Sequence, residues 1–188
     1  MSTGSHLPGT YRIADGSPVR FAEAMAGWVP LAYIELLATA RKYHAYITYR
    51  ELSECVQERS GVRTRVLLTN WIGKLLEQVA ALAKANGEPP LTSLCVHQDG
   101  TIGQGYARAP KSVADSTSHD IEYYAAQHRL LCYQKYAADL PADGGQPALT
   151  VAEAQRRARK IPEKPVREAL CPAHFTVLPT SGRCDYCD

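Results

Sequence analysis

Near its C-terminal end the chain reads Cys171-Pro172-Ala173-His174, then nine residues, then Cys184-Asp185-Tyr186-Cys187. No other feature restricts the fold as strongly. Each C-x-x-[CH] loop can aim two ligands at one ion, and a turn at Thr180-Ser181-Gly182 lets the loops meet, so the spacing predicts a tetrahedral Cys3His site. Three thiolates and a neutral imidazole leave no coordination position open. The expected cofactor is one structural Zn2+ per chain, contributing folding energy to a segment too short to build a core.

The rest of the chain needs no such help. A protein of 188 residues, 45% hydrophobic and 21% charged, can bury roughly two thirds of its unfolded surface. Its 21 Lys+Arg against 19 Asp+Glu exclude a histone-like polycation, so any anion-binding surface must come from local clustering. No stretch is expected to reach the about 20 apolar residues of a membrane span, and the lead segment lacks the basic head and apolar run of a signal peptide. The expected location is the reducing cytoplasm, with no membrane partner.

Four regions are expected: a flexible N-terminal segment over 1–27, a winged-helix domain over 28–107, a helical extension with a basic helix over 108–170, and the knuckle over 171–188. Leu31, Tyr33, Ile34, Leu37 and Ala38 recur at helical spacing after Pro30, which is tolerated in a first turn. A short β-prone segment leads into Thr48-Tyr49-Arg50-Glu51, a capping box that opens a second helix. Trp71, Ile72, Leu75, Leu76, Val79 and Leu82 mark a third, stopped by Asn86-Gly87. Gln98-Asp99-Gly100 between Leu91–His97 and Thr101–Tyr106 predicts a β-hairpin. A fourth helix is expected over 118–138, and Thr150-Val151-Ala152-Glu153 opens a basic fifth that ends before Pro162.

The fold class expected is therefore mainly α with a small β-hairpin, in the element order of a winged helix-turn-helix. In that architecture the third helix enters the major groove and the wing touches the backbone or minor groove. Charge agrees: from Arg41 to Lys74 stand Arg41, Lys42, Arg50, Arg59, Arg63, Arg65 and Lys74 against only Glu51, Glu54 and Glu58. Arg63, Arg65, Thr69, Asn70 and Lys74 surround the start of the third helix and are the expected nucleic-acid contacts. Arg156, Arg157, Arg159 and Lys160 form a second basic block suited to phosphate, or to a solvated helix face.

Two resemblances follow from these residues. The tail resembles a miniature zinc ribbon or zinc knuckle, which implies contact with nucleic acid or protein. Ile47-Thr48-Tyr49-Arg50-Glu51-Leu52, Trp71-Ile72-Gly73-Lys74, Pro90 and Val96 to Gly103 resemble the C-terminal winged-helix domain of alkylguanine DNA alkyltransferases and alkyltransferase-like proteins. That family carries a Pro-Cys-His-Arg motif just before the first hairpin strand, where this chain has Leu91-Thr92-Ser93-Leu94. The resemblance implies architecture and DNA docking, and no catalytic residue. Cys95 lies too close to the turn to serve as that nucleophile, and its apolar neighbours should keep it inert.

His128 and Cys132, four apart on the fourth helix, are expected as core or rim residues, and Tyr123, Tyr124, Tyr133 and Tyr136 as core with hydroxyls at the edge rather than as base-stacking platforms. No Walker loop, dinucleotide fingerprint, H-E-x-x-H or G-x-S-x-G occurs. The expected function is a nucleic-acid-binding zinc protein, with duplex DNA as partner, regulatory or part of a DNA-processing or defence system. The rivals are a protein–protein adaptor using the knuckle and helical extension, and a DNA-modifying enzyme or nuclease with an unrecognised site.

Overall fold

The computed structural model describes residues 9–108, 120–160, 171–177, 183, 184, 186 and 187. β1 (Thr10–Arg12) precedes α1 (Phe21–Ala40), then come β2 (Ile47–Thr48), α2 (Tyr49–Ser60) and β3 (Val62–Thr64). A 3-10 turn at Leu68–Asn70 leads into α3 (Ile72–Ala85), and a second at Leu91–Leu94 into β4 (Cys95–Val96). A third covers Gln104–Arg108, followed by α4 (Ile121–Tyr136) and α5 (Val151–Lys160). The described residues are thus mainly helical, with two small sheets: β1 antiparallel to β3, and β2 parallel to β4. The chain divides into two compact units, Met1–Ala154 and Gln155–Asp188.

The spine of the first unit is α1. Ala24, Trp28, Ala32, Leu36 and Ala40 recur every fourth residue, which puts them on one ridge, and all five are buried. The small alanines let α2 and α3 approach closely. Trp28 lies 4.9 Å from the Trp71 ring and donates its Nε1–H to Ser60 Oγ at 2.9 Å, so its polar edge is satisfied inside the core. Burial of each large apolar side chain on this ridge contributes about 1.5–3 kcal/mol.

Three expectations fail here. The first helix begins at Phe21 rather than Pro30, and Pro30 sits inside it. Core packing of Ala24, Met25 and Trp28 holds the first turns despite the missing Pro30 N–H. Residues 9–20, expected within the flexible lead segment, form β1 and a turn in which Arg12 N–H donates to Ser17 O at 2.9 Å. α1 is also long and apolar enough, by length and composition, to cross a membrane, a match the sequence reading did not expect.

The capping box at α2 forms as expected. Glu51 N–H donates to Thr48 Oγ1 at 3.3 Å, and Thr48 N–H to Glu51 Oε2 at 2.8 Å. After α2 the chain turns at Gly61, whose φ of 67° suits glycine, and becomes β3. α3 follows the expected apolar stripe.

The expected hairpin is not formed. Its turn is present, with His97 N–H donating to Thr101 O at 2.8 Å and Asp99 Oδ1 accepting from the Thr101 N–H and hydroxyl. Its strands are not. Leu91 to Val96 are buried at every position, so no inside–outside alternation exists for a half-exposed strand, and Leu91 and Leu94 fall three apart as a 3-10 turn requires. Only Cys95 and Val96 pair, and they pair with β2.

α4 starts at Ile121, where the Asp120 carboxylate accepts from Glu122 and Tyr123 N–H groups. His128 and Cys132 are buried, with His128 Nδ1 2.7 Å from Tyr106 Oη and Cys132 Sγ 3.8 Å from Ser93 Oγ. Tyr133 packs in the core and donates its hydroxyl to Ala45 O at 2.6 Å, whereas Tyr123, expected in the core as well, is exposed. Thr150 accepts from Glu153 N–H at 3.3 Å and donates its own hydroxyl to Gly100 O at 2.8 Å, fastening the start of α5 to the 97–101 turn.

Candidate nucleic-acid interface and metal centre

In the first unit a cleft of about 930 Å3 opens between the start of α3 and the segment from His97 to Arg108. Thr69, Asn70 and Lys74 line it, so three of the five contacts expected around this helix share one wall. Arg63 and Arg65 do not line it; they stand exposed on and just after β3. Arg63 faces Tyr11 across the β1–β3 ladder, and the Arg65 guanidinium lies 5.9 Å from the Tyr11 ring centre.

The basic residues of this region fall into two groups. Arg50 is paired with Glu54 at 2.9 Å, and Arg59 with Glu35 at 3.3 Å. Arg63, Arg65 and Lys74 make no ion pair among the described residues, and all are exposed. Exposed pairs of the first kind contribute little to stability but neutralise each other's field, whereas of the second group Lys74 brings its charge to the cleft wall, where Glu77 also lies, and Arg63 and Arg65 carry theirs on and just after β3.

Sequence reasoning missed the rest of the lining. Tyr49 and Arg50 enter from the first turn of α2, and His97, Gln98, Gln104, Tyr106 and Arg108 from the far wall. The signal was weak: at Gly103 the backbone passes so close to the Tyr49 hydroxyl that a Cβ there would displace it. Burial pushes the Tyr49 phenol up to about 12, so it stays neutral, and its ring sits edge-on to His97 at 4.6 Å. Burial also holds the Tyr106 phenol well above its ordinary value beside His128.

Thr92 reaches the cleft; Cys95 does not. Cys95 is 1% exposed, and burial, with Glu51 adding to it, pushes its thiol well above the usual range. A thiol so placed is a poor nucleophile.

Arg156 and Arg159 are exposed and Arg157 half-buried on α5, which ends at Lys160. In the tail, the ligand atoms of Cys171, His174, Cys184 and Cys187 lie within 4.8 Å of one another and could hold one metal ion. His174 Nδ1 is 3.8, 3.7 and 3.4 Å from the Sγ atoms of Cys171, Cys184 and Cys187, and Cys171 Sγ is 3.6 Å from Cys187 Sγ. A tetrahedron on metal–sulfur bonds of about 2.3 Å has edges of about 3.8 Å, so the donor set fits.

Local backbone builds this arrangement. Phe175 N–H donates to Cys171 O and Cys171 N–H to Thr176 O, both at 2.8 Å, which folds the first loop back on itself. N–H groups of His174 and Ala173 hold the Cys171 thiol below its ordinary value, and hydrogen bonding from the Thr176 hydroxyl does the same for Cys184. Cys187, crowded first by Cys171, is pushed up to about 11. Three thiols this close compete for protons, and a cation would relieve that competition.

No family model matches the chain, and no curated protein or solved structure matches it.

Proposed function

We propose that the protein binds duplex DNA without chemistry, through the cleft rim at the start of α3, in a regulatory, DNA-processing or defence role. One observation carries the reading: Arg63, Arg65 and Lys74 are exposed and make no ion pair among the described residues, and Lys74 stands on the wall of a cleft that also offers hydroxyls, amides and one carboxylate, Glu77. Such a rim suits phosphates, and donors such as Asn70 and Gln98 suit base edges. The order α1, β2, α2, β3, α3 supports a variant winged helix-turn-helix, with α3 as recognition helix and the 97–101 turn in place of a wing. In the same reading the tail holds one structural Zn2+, since three thiolates and an imidazole in tetrahedral array favour that ion.

The test is fluorescence anisotropy of the full zinc-loaded chain on a labelled duplex. Lys74→Glu and Arg108→Glu should each weaken binding about tenfold at low salt, while Arg20→Glu, at the start of α1, leaves it unchanged. Equal losses at all three positions would reduce the effect to net charge. A second reading has its own observation: Phe175, Val177 and Tyr186 are exposed on the metal-organised tail, which favours a protein-docking role for that unit.

A further inference from the structure

From Arg59 to Leu76 the chain carries four cations and no carboxylate, and in the middle stand three consecutive apolar residues, Val66, Leu67 and Leu68. Leu67 is 70% exposed. A solitary exposed leucine is ordinary. What sets this one apart is the fixed backbone beneath it. Arg65 N–H donates to Gly9 O at 2.7 Å, Val66 N–H to Thr64 Oγ1 at 3.2 Å, and Asn70 N–H to Leu67 O at 2.9 Å. The Val66 carbonyl accepts from Trp71 Nε1 at 3.3 Å, and the Trp71 ring is itself locked in the core against Trp28. The apolar side chain therefore stands on a rigid tip, and the next three residues, Leu68, Thr69 and Asn70, line the cleft.

A rigid apolar projection on a segment whose exposed cations Arg63, Arg65 and Lys74 make no ion pair among the described residues fits one kind of surface. An apolar protein groove would satisfy Leu67 but leave Arg63, Arg65 and Lys74 without counter-charges. A base step of a duplex satisfies both, because its interior is apolar and its two edges are phosphates. We propose that Leu67 is a wedge that enters a base step, unstacks it and kinks the duplex, while Arg63, Arg65 and Lys74 hold the flanking phosphates. This rests on the duplex-binding reading above and adds to it that the bound DNA is deformed.

The experiment uses full-length zinc-loaded protein and a duplex carrying 2-aminopurine at several steps, with a donor and an acceptor dye at its ends. The wild type should brighten 2-aminopurine and bring the dyes closer. Leu67→Ala should lose both signals while binding no more than about tenfold more weakly, and Leu67→Met should retain them. Because Leu67 is exposed, both variants should keep the wild-type melting temperature. Unchanged brightening and dye distance in Leu67→Ala would overturn the wedge and leave duplex binding standing. A duplex that stays straight under the wild type would do the same. Self-association of the chain abolished by Leu67→Ala, without DNA distortion, would assign the tip to a second copy instead. Failure of the wild type to bind any duplex would overturn both the wedge and the reading beneath it.

Discussion

The units Met1–Ala154 and Gln155–Asp188 differ in how their candidate sites are built. In the first, α1 runs through a core of large apolar side chains, and the groups that line the cleft come from residues as far apart as Tyr49 and Arg108. In the second, four residues that could hold one metal ion converge from two short loops, and among the described residues Phe175, Val177 and Tyr186 are exposed rather than gathered into a core. The difference teaches where information about a site resides. A ligand-built site is spelled by spacing, because the chemistry of the ion sets the geometry. A cleft built on a core depends on long-range packing, which local spacing does not record.

Metal removal should separate the two most sharply. Chelation, or Cys184→Ala, should unfold the tail and cut metal affinity by several orders of magnitude, given the about 10–16 kcal/mol that structural zinc contributes to small units. Far-ultraviolet circular dichroism should keep most of its helical signal, and metal analysis of the untreated protein should find one equivalent of zinc. Collapse of the whole helical signal would break the comparison. Conversely, Leu36→Ala on the α1 ridge should cost about 2–5 kcal/mol in denaturant unfolding and leave the zinc content at one equivalent.

A smaller effect is expected at Gly100. Its φ is +81°, and a Cβ there would lie 2.6 Å from Thr150 Oγ1 and 3.0 Å from Ala152 Cβ. Gly100→Ala should cost about 1–3 kcal/mol, measured as a drop in the melting temperature of the first unit.

Smallest is a pH effect at Glu88, which accepts from Lys135 Nζ at 2.9 Å and from the Tyr136 hydroxyl. Burial pulls the Glu88 carboxyl upward, but hydrogen bonds from Tyr136 and Lys135 outweigh it and leave the group below its ordinary value. Its stabilisation is present above the unfolded value of about 4.3 and is lost as pH falls through the lower folded one. Glu88→Gln should remove that part of the pH profile and cost about 1 kcal/mol at neutral pH.

The legibility of the sequence followed the same division. Cys171, His174, Cys184 and Cys187 were readable because each C-x-x-[CH] pair fixes its own geometry. The Thr48–Glu51 box and the α3 stripe were readable because capping and helical periodicity are local. The hairpin was misread because Asp99-Gly100 specifies a turn but not what its flanks do; full burial of Leu91 to Val96 decided that. Helix α1 was started late because Pro30 suggests a first turn, whereas Trp28 and its core neighbours hold the helix through it. Arg50 and Arg108 reach the cleft only through tertiary packing.

The central claim, duplex binding through the rim of the first unit, is tested most directly by the salt dependence of affinity. The slope of log K against log salt should be compared between the wild type and Arg63→Ala/Arg65→Ala. Each phosphate contact contributes roughly 0.9 to that slope, so the double variant should bind more weakly and flatten it by about two. An unchanged affinity and slope would contradict the account and move the docking surface to the basic helix carrying Arg156, Arg157, Arg159 and Lys160.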